Sequence, residues 1–223
     1  MVPNNDSQIR RTRRAAIAFI GAAAATAVAG AVLQFGLQPG TELSDDMWRY
    51  PWSSSGAFVA FSLFSALLHA LVIVGLVAFG RSGAAGQSRA ASNGLALAIA
   101  GTALLLIGEL ASIPIRHAEI DDTSAQIAGA IFGLASIVST VCFLVIGRAT
   151  LLAGVWHDWR RFTPLATGIW LTALTTLSLA VPKVLHGGVG LYGVCLLAMA
   201  TALYTYPAPS IAATAEQLQL RRS

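Results

Sequence analysis

Six charge-poor apolar runs, each close to the length a bilayer requires, constrain this chain more than any other feature. A spanning helix needs about 20 mainly apolar residues, because the hydrocarbon core is about 30 Å thick and each helical residue rises about 1.5 Å. Runs 15–37 and 125–147 hold no charged residue. Run 56–80 is broken only by His69, and run 94–114 only by Glu109. Run 165–181 is short and stops at Pro182 and Lys183, and run 187–206 ends at Tyr206 and Pro207. The predicted fold is therefore an all-α polytopic bundle of about six transmembrane helices, forming one membrane domain over 15–206. A disordered basic tail at 1–14 and a second tail at 207–223 are expected to flank it. The connecting loops are too short for another domain, and no internal repeat is strong enough to read.

Charge supports a membrane and excludes some partners. Only 11% of the 223 residues are charged, against about 25% in an ordinary soluble domain. The net charge of +4 does not point to nucleic acid, because the basic residues flank the apolar runs instead of forming one patch. Residues in that position set membrane orientation. With the N-terminus inside, the inner segments carry Arg10, Arg11, Arg13, Arg14, Arg81, Arg89, Arg148, Arg160, Arg161, Arg221 and Arg222. The outer loops carry only Arg49, Arg116 and Lys183. Both termini are thus expected in the cytoplasm, with the chain in the cell membrane. Arg-rich residues before an Ala-rich stretch can also be a cleaved signal peptide. Run 15–37 is longer than a usual signal core, so it is expected to stay as the first helix. Lys183 is the sole lysine among 14 basic residues, and with the abundance of Ala it suggests a high-GC bacterial source.

Tight helix association in lipid relies on small residues. Gln126, Gly129, Gly133, Ser136 and Thr140 share one face of the fourth run, so that face is expected to meet other helices. Trp48, Tyr50, Trp52, Trp156, Trp159, Phe162, Tyr204 and Tyr206 fall at predicted interfaces and suit an aromatic belt. Segment 149–159 is expected to lie flat on the inner surface. Cys142 and Cys195 sit inside apolar runs as small core residues, without metal-like spacing.

Ionisable residues inside a span are costly and become functional candidates. His69 lies near the midpoint of its run, with Ser62 and Ser65 on the same face. Its expected partners are hydroxyls or a thiol at matching depth: Thr26, Ser136, Thr172, Thr175 or Cys195. Glu109 lies five residues before Pro114, and its expected partners are Arg49, Arg116, Lys183, His186, Gln34 and Gln126. Measured from the outer helix ends, His69 is about 20 Å deep and Glu109 about 8 Å, so the two are not expected to touch. Each is as readily a packing residue as a working one.

The outer loops concentrate polar groups. Asp45 and Asp46 join His69 and Glu109 as candidate catalytic residues. Arg49, Tyr50, Arg116, His117, Asp121, Asp122 and His186 are candidate ligand-binding residues. The adjacent carboxylates could hold a cation or cap helices, capping being the more ordinary role; no metal site and no cofactor is assigned. There is no phosphate-binding glycine loop, HExxH or GxSxG motif.

The six-run layout, with Asp45-Asp46-Met47-Trp48-Arg49-Tyr50-Pro51-Trp52 leading into the run that holds His69, resembles small polytopic membrane proteins common in high-GC Gram-positive bacteria, a group that brings no known activity. The chain is more faintly similar to small integral-membrane terpene cyclases. That resemblance implies acidic residues protonating a polyprenyl substrate within a helical bundle. Those enzymes usually have seven spans and no motif residue matches, so the likeness assigns no site. Three functions stay open. The chain is expected to be a binding protein that takes an apolar or lipid-like ligand or a membrane-protein partner through an outer-facing polar pocket, an embedded enzyme acting on a lipid or isoprenoid, or a small proton-linked transporter.

Overall fold

The computed structural model describes residues 5–206. Six long helices are present: α1 (Asn5–Val32), α2 (Ser55–Arg81), α3 (Arg89–Ser112), α4 (Thr123–Ala153), α5 (Thr163–Ala180) and α6 (Leu185–Thr205). All six are long and apolar enough to cross a membrane. Helices are the form expected of such runs, because in lipid each backbone N–H and C=O must find its partner within its own segment. α1 begins ten residues before the first apolar run, so residues 5–14 are helical where a disordered tail was expected. The tail at 207–223 lies outside the described residues.

Helix ends follow local chemistry. The Ser54 and Ser88 hydroxyls accept from the backbone N–H of Ala57 and Ala91 and start α2 and α3. These bonds satisfy donors that have no partner within the helix. Pro164 opens α5, where a missing N–H costs nothing. Gly154, at φ 61°, ends α4 in the left-handed conformation that glycine adopts without strain. The expected surface helix at 149–159 does not form. Its first residues complete α4, and a short 3-10 turn, Asp158–Phe162, follows.

Each helix packs on its sequence neighbours, and α6 returns to α1, closing a six-membered ring. The α1–α6 contact is the most extensive. Loops 41–54, 113–122 and 181–184 gather at one end, here the capped end. Loops 82–88 and 154–162, with Tyr206, mark the opposite, terminal end.

Glycines set the close approaches. Along the α3–α4 seam, Gly94 meets Ile146, Gly101 meets Ser139 and Gly108 meets Phe132; a Cβ on these glycines would stand 3.2, 2.7 and 3.0 Å from those side chains. Both helices advance seven residues per contact, the repeat that keeps one seam facing its partner. Gly147 meets Leu165, Gly168 meets Leu144, and Gly30 meets Gly190. The expected small face of α4 behaves otherwise. Gly129 and Gly133 have nothing within 4 Å, and Gln126, Gly129 and Gly133 are exposed. Ala125, Ala128, Ala135 and Ser139 are buried in their place. The α3–α4 seam runs along that neighbouring stripe and leaves the glycine pair uncovered.

The apolar core sits off-centre. Phe19, Leu76, Phe79, Phe143, Ile146, Leu196 and Met199 are fully buried toward the terminal end. Trp156 is buried there too, edge-on to Phe79 at 5.2 Å, so it belongs to the core and not to an interfacial belt. Toward the capped end, Leu33, Phe58, Leu174 and Tyr192 are the large buried side chains. Their neighbours Ser62, Ser65, Ala66, Ser112, Ala125 and Ala128 are small or hydroxylated.

Candidate functional site

His69 and Glu109 come together where the sequence ladder kept them apart. His69 Nε2 stands 3.9 Å from Glu109 Oε1, and each side chain is 19% exposed. The reason is register. Gly80 of α2 packs on Leu95 of α3. From that contact His69 lies eleven residues along α2 and Glu109 fourteen along α3. At about 1.5 Å per residue their backbones differ in height by only about 4.5 Å, which two long side chains span. Counting from loop ends failed because α2 runs well past the end of α3 at the capped end.

The pair faces inward. On α2 the exposed apolar row is Leu63, Leu67 and Val74; on α3 it is Leu97, Ile107 and Leu110. At about 100° per residue, His69 and Glu109 point away from both rows. Their remaining exposure therefore opens toward the bundle. Two of the partners expected for His69 are engaged elsewhere: Thr26 donates to Ala22 O and Thr172 to Gly168 O. Such back-bonding on the same helix is the usual fate of a hydroxyl in a span.

The outer candidates form a cap. Met47 and Glu119 make an isolated antiparallel bridge, Trp48 N donates to Ala118 O (3.0 Å), and Ile120 N donates to Asp46 O (2.8 Å). The Trp48 ring sits 6.4 Å from that of Phe132 on α4, which seats the cap on the bundle. Arg49 Nη1 donates to Ser55 Oγ at 2.8 Å, and His117 Nε2 lies 3.5 Å from the same oxygen. Two expected ligand-binding residues thus meet at Ser55, a residue the sequence did not single out. Arg49 Nε is buried without a partner.

The acidic candidates separate. Asp46 Oδ2 accepts from the Ser44 hydroxyl, and Asp122 Oδ2 accepts from Glu119 N. Asp121 contributes its carbonyl to Gln126. Asp45 pairs with Lys183 at 3.9 Å, but both side chains are mostly exposed, and such a pair contributes about 0–1 kcal/mol. Asp122 holds the N-cap position of α4, yet its carboxylate makes no capping bond. Among the described residues no group of three or more His, Cys, Asp or Glu could hold a metal ion. Arg116 donates to Ile113 O on its own turn, and Tyr50 bonds through its backbone N–H to Met47 O.

On the far side of the capped end, a π-helical turn, Leu33–Leu37, continues α1. It presents Gln34, whose Oε1 accepts from Gly187 N at 2.8 Å, while Gln38 Nε2 donates to Lys183 O at 3.1 Å. His186, next to Gly187, keeps Nδ1 buried without a partner.

A groove of about 630 Å³ runs along α5, lined by Ile169, Thr172, Ala173, Thr176, Leu177 and Ala180. It touches neither His69 nor Glu109. The His69–Glu109 pair and this groove are therefore separate features. Comparison with family models, with curated proteins and with solved structures gives no match.

Proposed function

We propose that this chain is a multi-pass membrane protein that binds a long-chain, lipid-like ligand, with the His69–Glu109 pair anchoring the ligand's polar group. The observation that carries this is the pair itself: two ionisable side chains from different helices, 3.9 Å apart, turned inward and still 19% exposed. An ion pair inside an apolar bundle offsets its desolvation only with close geometry and further hydrogen bonds, and at 3.9 Å this pair lacks that geometry. It keeps free polar atoms facing the bundle, beside the buried hydroxyl residues Ser62, Ser65 and Ser112. The charge asymmetry along the sequence supports placing the capped end outside the cell membrane and both termini in the cytoplasm.

A second role rests on the same distance. An acid–base pair acts once its heavy atoms close to about 2.6–3.2 Å, and such contacts often tighten only when the substrate binds. Glu109 and His69 are thus suited to exchange a proton with an isoprenoid or lipid. In that case the protein is a membrane-embedded enzyme.

The experiment is an inventory, by mass spectrometry, of the lipids that co-purify in mild detergent with the wild type, Glu109→Gln and His69→Ala. A lipid enriched in the wild type and lost from either variant, at unchanged protein yield, is the expected result. Bulk lipid alone, identical in all three, overturns the proposal and leaves the pair a packing element.

A further inference from the structure

α4 and α5 part company toward the capped end. In the terminal half they touch backbone to backbone: a Cβ on Gly147 would stand 2.6 Å from Leu165 N, and one on Gly168 would stand 2.7 Å from Leu144 N. Those two contacts fix the antiparallel register, and carried forward it sets Leu179 level with Gly133. Gly129 precedes Gly147 by eighteen residues, about five turns, so it lies on the same face of α4. Leu179 follows Gly168 by eleven residues, about three turns, on the same face of α5. If the helices stayed together, these residues would be covered. Instead Gly129 and Gly133 have nothing within 4 Å, and Leu179 is 83% exposed. α5 leans toward α6 there, where Leu174 packs on Gly188 and Trp170 Nε1 donates to Gly188 O.

We infer that this opening is a lateral doorway through which a long hydrocarbon chain enters from the surrounding leaflet; the inference rests on the ligand-binding function proposed above. Two observations favour a lipid chain over another occupant. The two walls carry no charged side chain. The doorway also stands at the height of the candidate site. Gly133 follows Phe132, whose ring packs on Gly108, and Gly108 adjoins Glu109. A chain seated against Gly129 and Gly133 thus brings its polar end to the level of the His69–Glu109 pair.

The test closes the doorway from either wall. Gly133→Trp fills it from α4 and Leu179→Trp from α5; both positions are open, so both variants should fold, and the second serves if the first does not. The probe is a long-chain fatty acid carrying a mid-chain diazirine, photolysed with the full-length protein in detergent and mapped by peptide mass spectrometry. Wild type should label within 129–140 and 169–180, and either tryptophan should cut that labelling at least tenfold. Unchanged labelling in both variants overturns the doorway, as does labelling elsewhere only. So does a cross-linked dimer of the wild type that either tryptophan abolishes without any lipid labelling, because a second copy would then fill the opening. Glu109→Gln, run in parallel, separates the two ideas. If it leaves both doorway labelling and the co-purifying lipid unchanged, the doorway stands and the role of the pair falls. If it removes the lipid while both tryptophan variants retain it, the pair stands and the doorway falls.

Discussion

Adding one methyl group at Gly168 and, separately, at Gly133 tests the divergence of α4 and α5 by stability alone. At Gly168 the new Cβ would stand 2.7 Å from Leu144 N, against the 3.4 Å at which ordinary contact begins, so the backbones must separate by about 0.7 Å. The obstacle is backbone, which cannot rotate aside as a side chain can. Forced overpacking of this kind costs about 1–3 kcal/mol. At Gly133 nothing lies within 4 Å, and no such cost arises. Replacing glycine by alanine inside a helix also gains about 1 kcal/mol. That gain is common to both sites, so the difference between the two variants isolates the clash. For a chain of 223 residues, each kcal/mol moves Tm by about 2–4 °C. Gly168→Ala should therefore melt about 2–12 °C below Gly133→Ala. The assay is the fraction surviving gel filtration after heating in mild detergent. Equal midpoints, or the reverse order, would refute the register and the divergence together.

Other substitutions follow from the packing. Trp156→Ala removes a fully buried ring stacked edge-on to Phe79 and should cost about 3–5 kcal/mol; Trp159→Ala, at an exposed position, should leave the melting midpoint nearly unchanged. Lys183→Ala breaks an exposed pair with Asp45 and should change stability by less than about 1 kcal/mol, read from the same melting curve. Trp48→Ala should loosen the cap while leaving the bundle intact, seen as faster proteolysis within 113–122 at an unchanged melting midpoint. A matching fall in that midpoint would mean the cap is part of the core.

Much of the fold was legible in the apolar runs, because their length and lack of charge leave few alternatives to six helices. Each run lies within a few residues of its helix except at the start of α1 and the end of α4. Helix register was not legible, and the site depends on it. His69 and Glu109 looked about 12 Å apart in depth when each was measured from its own loop. The Gly80–Leu95 contact, which no single run reveals, brings them level. Glycine spacing misleads for a related reason: the four-residue pair Gly129 and Gly133 suggests a packed face, yet the seam uses Gly94, Gly101 and Gly108. Their seven-residue spacing was visible in the sequence, and it could have identified the packed face of α3 and, opposite it, Ser139 and Phe132. The cap was partly legible: the polar loops were marked as one group, but the convergence of Arg49 and His117 on Ser55 needed the folded loops.

The α1–α6 closure also sets a schedule. Five of the six helix pairs join sequence neighbours and can form as soon as the second helix of each arrives. The Gln34–Gly187 bond spans 153 residues, and at about 5–20 residues per second of synthesis α1 waits roughly 8–30 s for its last partner. Through that interval its row of Ala23, Ala27 and Gly30, which α6 later covers, has no helix of its own chain against it. A newborn copy is then most open to pairing with the wrong helix, and slower synthesis lengthens the exposure in proportion.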